Sequence, residues 1–380
     1  MNKNIEIETA VRHFRSLLEE QIERSERISQ NKNDDSPEKV KIGICDGDGI
    51  GPVITKSATE VLKCLLHDKI KTGKAEIVTI SGLTIENRKK CQKAIPDGVL
   101  EQIKDCTVLL KGPTETIKGG TLESANVALR RELDLYANVR PVRIPEKNID
   151  WVFFRENTEG EYVLGSRGIE ISDTLCFDFK VTTIRGTKRI AEKAFEYAKQ
   201  HGMHKMTVVT KANIMKKTDG MFSQICHTVS ENYPEITTEE RYIDIVTANL
   251  IDEKINGDFS VFVLPNLYGD IITDEAAQLQ GGVGTAGSAN IGDKYAMFEA
   301  IHGTAPGLVL AGLSEYANPT SILKATEMLL SHIGFAKESK LLNTILKDPD
   351  ICSLMPTGER CGHTCLEYTT AILERIEKLT

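Results

Sequence analysis

The chain has 380 residues, of which 40% are hydrophobic and 27% are charged, and its formal net charge is −8. At about 150 residues per domain, this length predicts roughly two to three globular domains, and the composition excludes a fibrous repeat or wholesale disorder. No run of about 18 apolar residues occurs, which excludes a membrane-spanning helix. The acidic balance argues against a basic surface for nucleic acid, so we expect neither a nucleic-acid nor a membrane partner.

Nine cysteines are scattered along the chain. Their odd number and their isolation in apolar stretches are typical of reduced, buried thiols in a cytosolic enzyme. The N-terminus has neither the order of a signal peptide nor the composition of a transit peptide, so we expect a cytoplasmic protein. Cys361, His363 and Cys365 are spaced closely enough to hold a metal, but no second ligand pair follows at finger-like spacing.

The first predicted element is a helix over residues 5–28. Its apolar residues recur at intervals of three and four, as a helix requires; they are Ile7, Val11, Phe14, Leu18 and Ile22. A polar linker over residues 29–38 follows. We expect a surface helix that packs on its own subunit or on a neighbouring one.

From residue 39 the pattern alternates between strands and helices. Predicted strands cover residues 39–45, 74–80, 106–112, 151–157, 206–211 and 259–266. Predicted helices cover residues 54–68, 97–104, 188–202, 321–333 and 365–378. From Gly281 to the helix that begins at residue 321, the chain is expected to be loop-rich. Such alternation predicts parallel strands joined by crossover helices, that is, an α/β fold.

Two segments are rich in glycine. The segment Gly47–Pro52 reads G-D-G-I-G-P, which is not the G-x-G-x-x-G of a dinucleotide loop, and the next strand ends in no acidic partner for a ribose. A tight strand-to-helix turn, with Pro52 near the first helical position, explains this segment better. The second segment, Gly281–Asn290, either lets the backbone approach a ligand closely or is simply a long loop.

Three arginines are candidates for binding a substrate with several carboxylates. Arg130 ends a helix-like stretch, and Arg140 follows ten residues later. Arg155 comes directly after the apolar residues WVFF, and the end of a strand is a usual place for a ligand contact. Each arginine alone is more often a solvated surface charge. Because a guanidinium matches a carboxylate with two parallel hydrogen bonds, the three together suit a polycarboxylate.

A set of aspartates is the counterpart of these arginines. Asp270 and Asp274 follow the apolar strand VFVLPN, and in a helix they share one face. We expect them in the first turn, where the helix N-terminus keeps carboxylates ionised. Helix capping explains one of them but not both. With Asp244 they would form an oxygen-rich site for Mg²⁺ or Mn²⁺, and Lys211 and Tyr162 are candidates for proton transfer.

These motifs resemble those of the decarboxylating β-hydroxyacid dehydrogenases, which comprise isocitrate, isopropylmalate, homoisocitrate and tartrate dehydrogenases. The matching motifs follow the family order from Gly47 to about Ile333; they are GDGIGP, LKGPT, ALRRELDLYANVRP, RENTEGEY, KANIMK, PNLYGDIITD, ANIG and FEAIHGTAP. The resemblance implies the isocitrate/isopropylmalate dehydrogenase-like fold, with two α/β domains and an active-site cleft between them, rather than a standard Rossmann fold.

The same resemblance implies a division of the chain. We expect an N-terminal helix and linker over residues 1–38. A large cofactor-binding domain is expected over residues 39–136 together with 281–380, and a small domain with the dimer interface over residues 137–280.

The resemblance also implies roles for the substrate residues. Ser124 and Asn126 match the S-x-N-x-x-x-R of isocitrate dehydrogenases, whereas isopropylmalate enzymes present apolar residues there. Isocitrate is therefore the expected substrate, and the arginines that bind its carboxylates are Arg130, Arg140 and Arg155.

Acid–base, metal and cofactor roles follow from the same motifs. Tyr162 and Lys211 are implied as the acid–base pair. Asp270 and Asp274 are implied as ligands of Mg²⁺ or Mn²⁺, joined by Asp244. In the family, the lysine and this last aspartate reach in from the neighbouring subunit, so we expect a homodimer or a higher homo-oligomer. The residues expected to bind the nicotinamide cofactor are Thr114, Asn213, Glu299, His302, Gly303, Thr304, Ala305 and Asn318.

The implied reaction is that of the tricarboxylic acid cycle enzyme. Hydride leaves C2 of isocitrate for the nicotinamide, carbon dioxide leaves C3 of the resulting oxalosuccinate, and Tyr162 reprotonates the product to 2-oxoglutarate, with the metal acting as a Lewis acid. One alternative is homoisocitrate or 3-isopropylmalate oxidation, which Ser124 and Asn126 disfavour. Another is a non-catalytic regulatory subunit of a hetero-oligomeric isocitrate dehydrogenase, which the complete set of Tyr, Lys and Asp residues disfavours.

NAD is the expected cofactor, and NADP is the alternative. After H-G-T-A-P, NAD-using members of the family carry Asp-Ile and NADP-using bacterial members carry Lys-Tyr, whereas this chain carries Gly307 and Leu308. The loop over residues 307–317 contains no base but does contain Glu315, which would repel a 2′-phosphate. Arg360 is the candidate that would supply a positive charge for NADP.

Overall fold

The computed structural model describes residues 3–28, 39–117, 122–165, 167–171 and 174–379, so the predicted linker over 29–38 lies outside the described residues. The helices are α1 Lys3–Arg27, α2 Gly51–Leu65, α3 His67–Lys71, α4 Ile85–Cys91, α5 Asp97–Lys104, α6 Ala125–Glu132, α7 Ile184–Gln200, α8 Thr218–Ser230, α9 Ile243–Leu250, α10 Asn266–Leu279, α11 Pro306–Leu310, α12 Thr320–His332, α13 Ala336–Ile345, α14 Pro349–Ser353 and α15 Cys365–Leu379. The strands are β1 Val40–Cys45, β2 Ala75–Thr79, β3 Val108–Lys111, β4 Ala137–Ile144, β5 Ile149–Glu156, β6 Ile169–Ile171, β7 Leu175–Phe177, β8 Lys205–Thr210, β9 Thr237–Tyr242, β10 Val261–Leu264, β11 Gly287–Ile291 and β12 Ala296–Ala300.

The chain folds into two compact units, each built from separated stretches of sequence. Unit 1 comprises the described residues within 1–33, 134–139 and 143–273, and unit 2 those within 34–133, 140–142 and 274–380. β4 and α10 each contribute residues to both units. The N-terminal helix α1 belongs to unit 1.

Unit 2 is built around the strand order β2-β1-β3-β12-β11. The pairs β1–β2, β1–β3 and β3–β12 are parallel, as the alternation of strands and helices predicts. The pair β11–β12 is antiparallel. Helices α2, α12 and α15 pack together beside this sheet, and the hydroxyls of Ser57 and Thr369 lie 2.6 Å apart between α2 and α15.

Unit 1 is built around the parallel strand order β5-β10-β8-β9. The β5 and β10 strands consist almost entirely of buried residues, as expected for strands covered on both faces. Phe153 stacks on Phe262 with ring centroids 4.4 Å apart, and Trp151 meets both rings edge-on. Helix α7 packs against β5 and supplies the buried Ala194 and Phe195.

The predicted turn at the first glycine segment is confirmed. Gly47 and Gly49 have φ angles of +74° and +62°, which favour glycine, and Pro52 stands in the first turn of α2. A Cβ on Gly47 would lie 2.1 Å from the carbonyl oxygen of Pro113, and one on Gly49 would lie 2.1 Å from that of Thr304. The turn therefore depends on glycine for space as well as for its backbone conformation.

The prediction of a loop-rich stretch after Gly281 is wrong, because β11 and β12 lie within it. β11 reads GSANI, and its small and polar residues carry little strand propensity. Tertiary packing decides the structure here: a Cβ on Gly287 would lie 2.4 Å from the backbone nitrogen of Ala325 in α12. β11 is a strand because α12 lies so close to it.

The predicted N-terminal helix is confirmed as α1, but its apolar stripe is exposed. The stripe residues are each at least 39% exposed; they are Ile7, Val11, Phe14, Leu18 and Ile22. Leu17, one position away, is 4% exposed and packs with Val163 and Leu164 of unit 1. Of the stripe, Phe14 stacks on Phe179 with ring centroids 5.1 Å apart, so apolar periodicity reveals only part of the contacting surface of α1.

All nine cysteines are free thiols, and the expectation of burial holds for Cys45, Cys106, Cys226 and Cys365. It is wrong for Cys91 and Cys176, which are exposed, as is Cys361 of the closely spaced Cys361–Cys365 stretch. Burial raises the pKa of Cys45 to about 12 and that of Cys365 to about 11, so these thiols stay protonated near neutral pH. No described helix has the length and the apolar composition that crossing a membrane requires.

Candidate active site

Arg155, Asp270 and Tyr162 form one hydrogen-bonded group in unit 1. Arg155 lies near the end of β5 and is fully buried, while Asp270 lies in α10 and is 39% exposed at its side chain. The guanidinium of Arg155 donates to one oxygen of Asp270, and the hydroxyl of Tyr162 donates to the other at 2.7 Å. The guanidinium carbon also lies 5.3 Å from the centroid of the Tyr162 ring. Three residues with predicted roles thus meet at one carboxylate.

Two neighbours fix the orientation of Arg155. Asn266 Oδ1 accepts from its Nε at 2.9 Å and from its Nη2 at 2.7 Å. Gly269 lets α10 pass over the arginine, because a Cβ there would lie 2.5 Å from Arg155 Cγ. The guanidinium is therefore held in one direction before any ligand binds, which reduces the entropy lost on binding.

Lys211 and Asp244 form a second pair in unit 1. Lys211 follows β8, as predicted, and its Nζ lies 2.5 Å from Oδ1 of Asp244 in the first turn of α9. The hydrogen bond from Lys211 lowers the pKa of Asp244. The side chains are 27% and 61% exposed, so this pair lies at the surface of the described chain.

Arg140 and Asp274 form a pair in unit 2. Arg140 Nη1 lies 2.8 Å from Asp274 Oδ1, with the arginine side chain 8% and the aspartate side chain 58% exposed. The expectation that Asp270 and Asp274 stand in the first turn of their helix is wrong. Helix α10 begins at Asn266, directly after β10 and Pro265, so both aspartates lie further along it. They remain four residues apart on one helix face.

Arg130 belongs to a buried ionic cluster in unit 2. Its Nη2 lies 3.3 Å from Glu299 Oε1, while Lys111 Nζ lies 3.0 Å from the other oxygen and Asn290 donates at 2.9 Å. Burial alone would raise the pKa of Glu299, but the charges of Lys111 and Arg130 lower it to about 2. Arg130 Nε is buried without a partner among the described residues, which leaves one donor for a ligand.

The predicted selectivity residues lie at the start of α6. Ser124 occupies the N-cap position without a capping hydrogen bond from its side chain, and its Oγ is 3.4 Å from Thr116 Oγ1. Asn126 Oδ1 accepts from Thr114 Oγ1 at 3.0 Å. The structure therefore brings together Asn126 and one predicted cofactor residue.

The other predicted cofactor residues lie mostly in the segment before α11. Thr304 accepts from the backbone of Ile50 at 3.2 Å, so the segment packs on the first glycine turn. Ala305 has a φ of +48°, a costly conformation for a residue with a Cβ. His302 Nε2 is buried without a partner among the described residues, and burial lowers the pKa of this histidine, which therefore stays neutral. A buried, unpaired nitrogen and a strained backbone fit a place where a ligand completes the contacts.

The remaining predicted cofactor residues have different surroundings. Gly303 and Asn213 are exposed, the latter in unit 1 after Lys211. Asn318 Oδ1 accepts from the backbone of Thr320 at 2.9 Å and so caps α12. Glu299 is engaged in the ionic cluster described above.

The three predicted metal ligands are each bonded to a cation of the same chain, Arg155, Arg140 or Lys211. Among the described residues, no group of three or more His, Cys, Asp or Glu side chains lies close enough together to hold a metal. Exposed carboxylates nevertheless fit a hard divalent cation, and a single chain offers the two of α10. The complete ligand set stays a prediction.

Sequence reasoning missed Asp219, which organises the surroundings of Lys211. This fully buried carboxylate accepts from the backbone of Lys211 at 2.8 Å and from Tyr268 at 2.9 Å, and Lys180 Nζ lies 2.6 Å away. Asp219 stands eight residues after Lys211, beyond the KANIMK motif, so the motif gives no signal for it. It fixes the backbone from which Lys211 projects.

Comparison with known proteins identifies the family. The family model for isocitrate/isopropylmalate dehydrogenase matches residues 41–348. The chain is 35% identical over 364 residues to the probable mitochondrial NAD isocitrate dehydrogenase subunit alpha of Caenorhabditis elegans, covering 93% of this chain and 97% of that protein. It is 39% identical over 320 residues to the NADP isocitrate dehydrogenase of Rickettsia prowazekii, covering 80% and 62%.

Solved structures agree with this result and confirm the predicted fold class. The isocitrate dehydrogenase of Methylococcus capsulatus matches with a TM-score of 0.77 at 33% identity, covering 89% of this chain and 99% of that one. The predicted cytoplasmic location is wrong on this comparison, because relatives such as the nematode protein are mitochondrial. Charge balance at the N-terminus and free cysteines do not distinguish these two reducing compartments. The chain belongs to the isocitrate/isopropylmalate dehydrogenase family.

Proposed function

We propose that this chain is a catalytic subunit that oxidises and decarboxylates isocitrate to 2-oxoglutarate with reduction of NAD. The observation that carries the proposal is the group formed by Arg155, Tyr162 and Asp270, in which a buried cation, a phenol and a carboxylate meet. The relatives named isocitrate dehydrogenase, at 35% and 39% identity, support the substrate class.

In this proposal the buried guanidinium of Arg155 binds one substrate carboxylate, since it is already held by Asn266 and needs little reordering. Tyr162 delivers a proton to C3 of the decarboxylated product. Its hydroxyl donates to Asp270, and this hydrogen bond has to break before the hydroxyl can donate to the substrate. Arg130 and Arg140 are the proposed partners of further substrate carboxylates.

Asp270 and Asp274 are the proposed ligands of Mg²⁺ or Mn²⁺, which when bound supplies Lewis-acid polarisation of the substrate oxygens. The exposure of both carboxylates and their position on one helix face support this assignment. Replacing Asp270 with Asn removes one charged metal partner. We expect turnover to fall by orders of magnitude while the far-ultraviolet spectrum stays native.

Ser124 and Asn126 are the proposed reason for choosing isocitrate. Both lie at the beginning of α6 and offer polar atoms. Replacing both with Leu should reduce isocitrate turnover far more than turnover of an alkyl-substituted malate, because the third carboxylate would lose its hydrogen-bond partners. Equal losses on the two substrates would contradict this role.

We further propose that Lys211 and Asp244 serve the active site of a neighbouring subunit. Their pair lies at the surface of the described chain and is bonded within itself. Mixing inactive Lys211→Met protein with inactive Arg140→Ala protein, under conditions that exchange subunits, should restore activity in a fraction of the sites. No recovery despite proven exchange would mean that each site is built from one chain.

NAD is proposed over NADP because the loop over residues 307–317 offers no base. Glu315 is exposed in that loop and lines a cavity with Glu60, Glu367 and Lys56, where three carboxylates outnumber one cation and disfavour a 2′-phosphate. One contact favours NADP instead. Gly358 lies next to Leu308, so the chain segment that contains Arg360 lies close to this loop. A larger kcat/KM with NADP would refute the proposal, and its loss in Arg360→Ala would identify the phosphate partner.

The decisive experiment is an assay of the purified chain with isocitrate, homoisocitrate and 3-isopropylmalate, each with NAD or NADP and Mn²⁺. We expect reduced cofactor and carbon dioxide from isocitrate with NAD, and loss of activity after chelation. The chelator-treated protein must recover when Mn²⁺ is returned. No turnover with any pair, in protein shown to be folded, would favour a non-catalytic subunit.

A further inference from the structure

Two buried carboxylates lie in the chain segment between Arg155 and Tyr162. Glu156 is 2% and Glu159 is 3% exposed. The carboxylate of Glu156 accepts from the backbone of Thr158 at 3.1 Å and from the backbone of Glu159 at 2.6 Å. Glu159 accepts from the hydroxyl and the backbone of Thr183. Burial and, after it, the neighbouring Glu159 raise the pKa of Glu156, while the charges of Arg189 and Arg24 oppose this shift.

The positive charge near this pair comes from Arg189 and Arg24. Arg189 in α7 donates to Thr158 Oγ1 at 3.1 Å, but it also forms a two-bond pair with Asp134 at 2.6 and 2.9 Å. Its charge is thus shared with a third carboxylate. Arg24 lies 3.4 Å from Glu159 Oε1 and 3.3 Å from Thr158 Oγ1, with its side chain 14% exposed.

Arg24 comes from α1, the helix to which none of the catalytic motifs belongs. Four residues of α1 that contact the rest of unit 1 repeat at intervals of four, three and four, as one helix face does; they are His13, Leu17, Glu20 and Arg24, and Phe14 beside them stacks on Phe179. The packing leaves no room for a side chain from α7 on the other side, since a Cβ on Gly186 would lie 2.3 Å from Glu159 Oε1.

The other members of this face hold the far end of the same segment. Leu17 packs on Val163 and Leu164. His13 Nε2 lies 3.0 Å from the carbonyl oxygen of Arg167, whose guanidinium pairs with Glu20. Within the described residues, α1 therefore contacts the segment on both sides of Tyr162.

We propose that α1 is a positioning element for Tyr162, in which Arg24 balances the charge of Glu156 and Glu159 and so fixes the segment over residues 158–165. This inference rests on the proposed function of Tyr162 as the acid. Arg155 depends less on this segment, since it is fully buried in β5 and bonded to Asn266, although Asn266 also donates to the carbonyl oxygen of Glu159 at 2.9 Å. The helix acts through Arg24 on the proton donor and leaves the carboxylate-binding arginine in place.

Charge balance gives this role a characteristic dependence on pH. The charged groups that face Glu156 are Glu159, Arg189 and Arg24. Without Arg24, the neighbouring cation of Glu156 and Glu159 is Arg189, which also pairs with Asp134. The repulsion between Glu156 and Glu159 then destabilises the segment most when both carboxylates are ionised. At lower pH the pair holds a proton and needs Arg24 less. The effect of removing Arg24 should therefore grow as the pH rises.

The experiment compares Arg24→Ala, Arg24→Lys and Arg12→Ala in the full chain at 25 °C. Arg12 is the matched control, because its described hydrogen bonds stay within α1, to Glu8 and Thr9. At pH 8.5 we expect Arg24→Ala to lower kcat about tenfold, with KM for isocitrate within about twofold. At pH 6 the loss should shrink to about threefold or less. Arg24→Lys should recover most of kcat, and Arg12→Ala should match the wild type.

Amide hydrogen exchange supplies a second measurement that does not depend on the substrate. Arg24→Ala should speed exchange in peptides from residues 158–165 by about tenfold, whereas peptides from α7 keep their rates. Unchanged exchange there, or a loss of kcat that is the same at pH 6 and pH 8.5, would overturn the inference. A wild-type chain without isocitrate turnover would refute the proposed function instead, and the exchange experiment would still decide whether α1 fixes the segment.

Discussion

Glu299 in unit 2 and Glu156 in unit 1 are both buried, but their pKa values are shifted in opposite directions. Two cations lie directly against Glu299, and they lower its pKa to about 2 although burial opposes them. Glu156 lies next to another carboxylate, and burial together with that neighbour raises its pKa to about 7. The two sites show that burial alone does not decide whether a carboxylate is ionised. The balance of charge within a few ångströms decides it.

The difference also separates two uses of a buried charge. The cluster of Glu299, Lys111 and Arg130 has two cations for one carboxylate and joins β3, β12 and α6 within unit 2. The cluster of Glu156 and Glu159 depends on cations that have other partners or come from α1. We expect the first cluster to contribute stability and the second to make the position of its segment sensitive to pH.

The largest change in the free energy of unfolding is expected from Lys111→Met, which tests this comparison. The substitution leaves Glu299 buried with Arg130 alone, and breaking a buried pair typically costs about 3–5 kcal/mol of unfolding free energy. Urea unfolding at pH 7 measures this loss. The double variant Lys111→Met with Glu299→Leu should not regain this loss, because Arg130 then stays buried without its carboxylate partner. A single variant as stable as the wild type would show that the cluster is not balanced by Lys111.

The comparison also shows which parts of this molecule can be read from sequence. Strands β1, β3, β5, β8 and β10 were predictable, because each is a short apolar run bounded by turn residues. β9, which reads TTEERY, was not, because it is polar and half-exposed. β11 was not predictable either, since the approach of α12 and not its own propensity makes it a strand.

The candidate site divides in the same way. The motifs name Arg155, Tyr162 and Asp270, and the structure brings these residues together. They give no sign of Asp219, which acts through contacts with Lys180 and Tyr268, residues far from it in sequence. Arg24 was missed for a different reason: helical periodicity singles out the apolar stripe of α1, whereas Arg24 makes a polar contact, to Glu159 and Thr158.

The second expected effect concerns acid stability and Glu299. Its folded-state pKa of about 2 lies below the ordinary value of 4.5, so its contribution is present above pH 5 and is lost as the pH falls towards 2. The shift corresponds to a contribution on the order of 3 kcal/mol at pH 7. The stability difference between wild type and Glu299→Gln should therefore shrink between pH 5 and pH 3. A difference that stays constant over this range would contradict the assignment.

The third expected effect has the opposite sign and concerns Glu156. Its folded-state pKa lies above the ordinary value of 4.5, so its contribution is fully present below pH 4.5 and is lost as the pH rises to about 7. Relative to wild type, Glu156→Gln should therefore gain stability between pH 5 and pH 8, by roughly 2–3 kcal/mol. Thermal unfolding across this range measures the gain. The amide cannot accept every hydrogen bond of the carboxylate, so the stability difference at one pH does not test the prediction. Its change with pH does.

The smallest effect is expected from Lys41→Met, the matched control for Lys111→Met on the neighbouring strand. Lys41 on β1 pairs with Asp105 at 2.5 Å, as close as the buried pairs, but its partner's side chain is 71% exposed. Water already solvates both charges, so the attraction between them is weak and screened by salt. The urea midpoint of Lys41→Met should be indistinguishable from that of the wild type at 0.15 M salt. If the urea midpoint of Lys41→Met falls as far as that of Lys111→Met, the loss of stability comes from removing a lysine from this sheet and not from the burial of its partner.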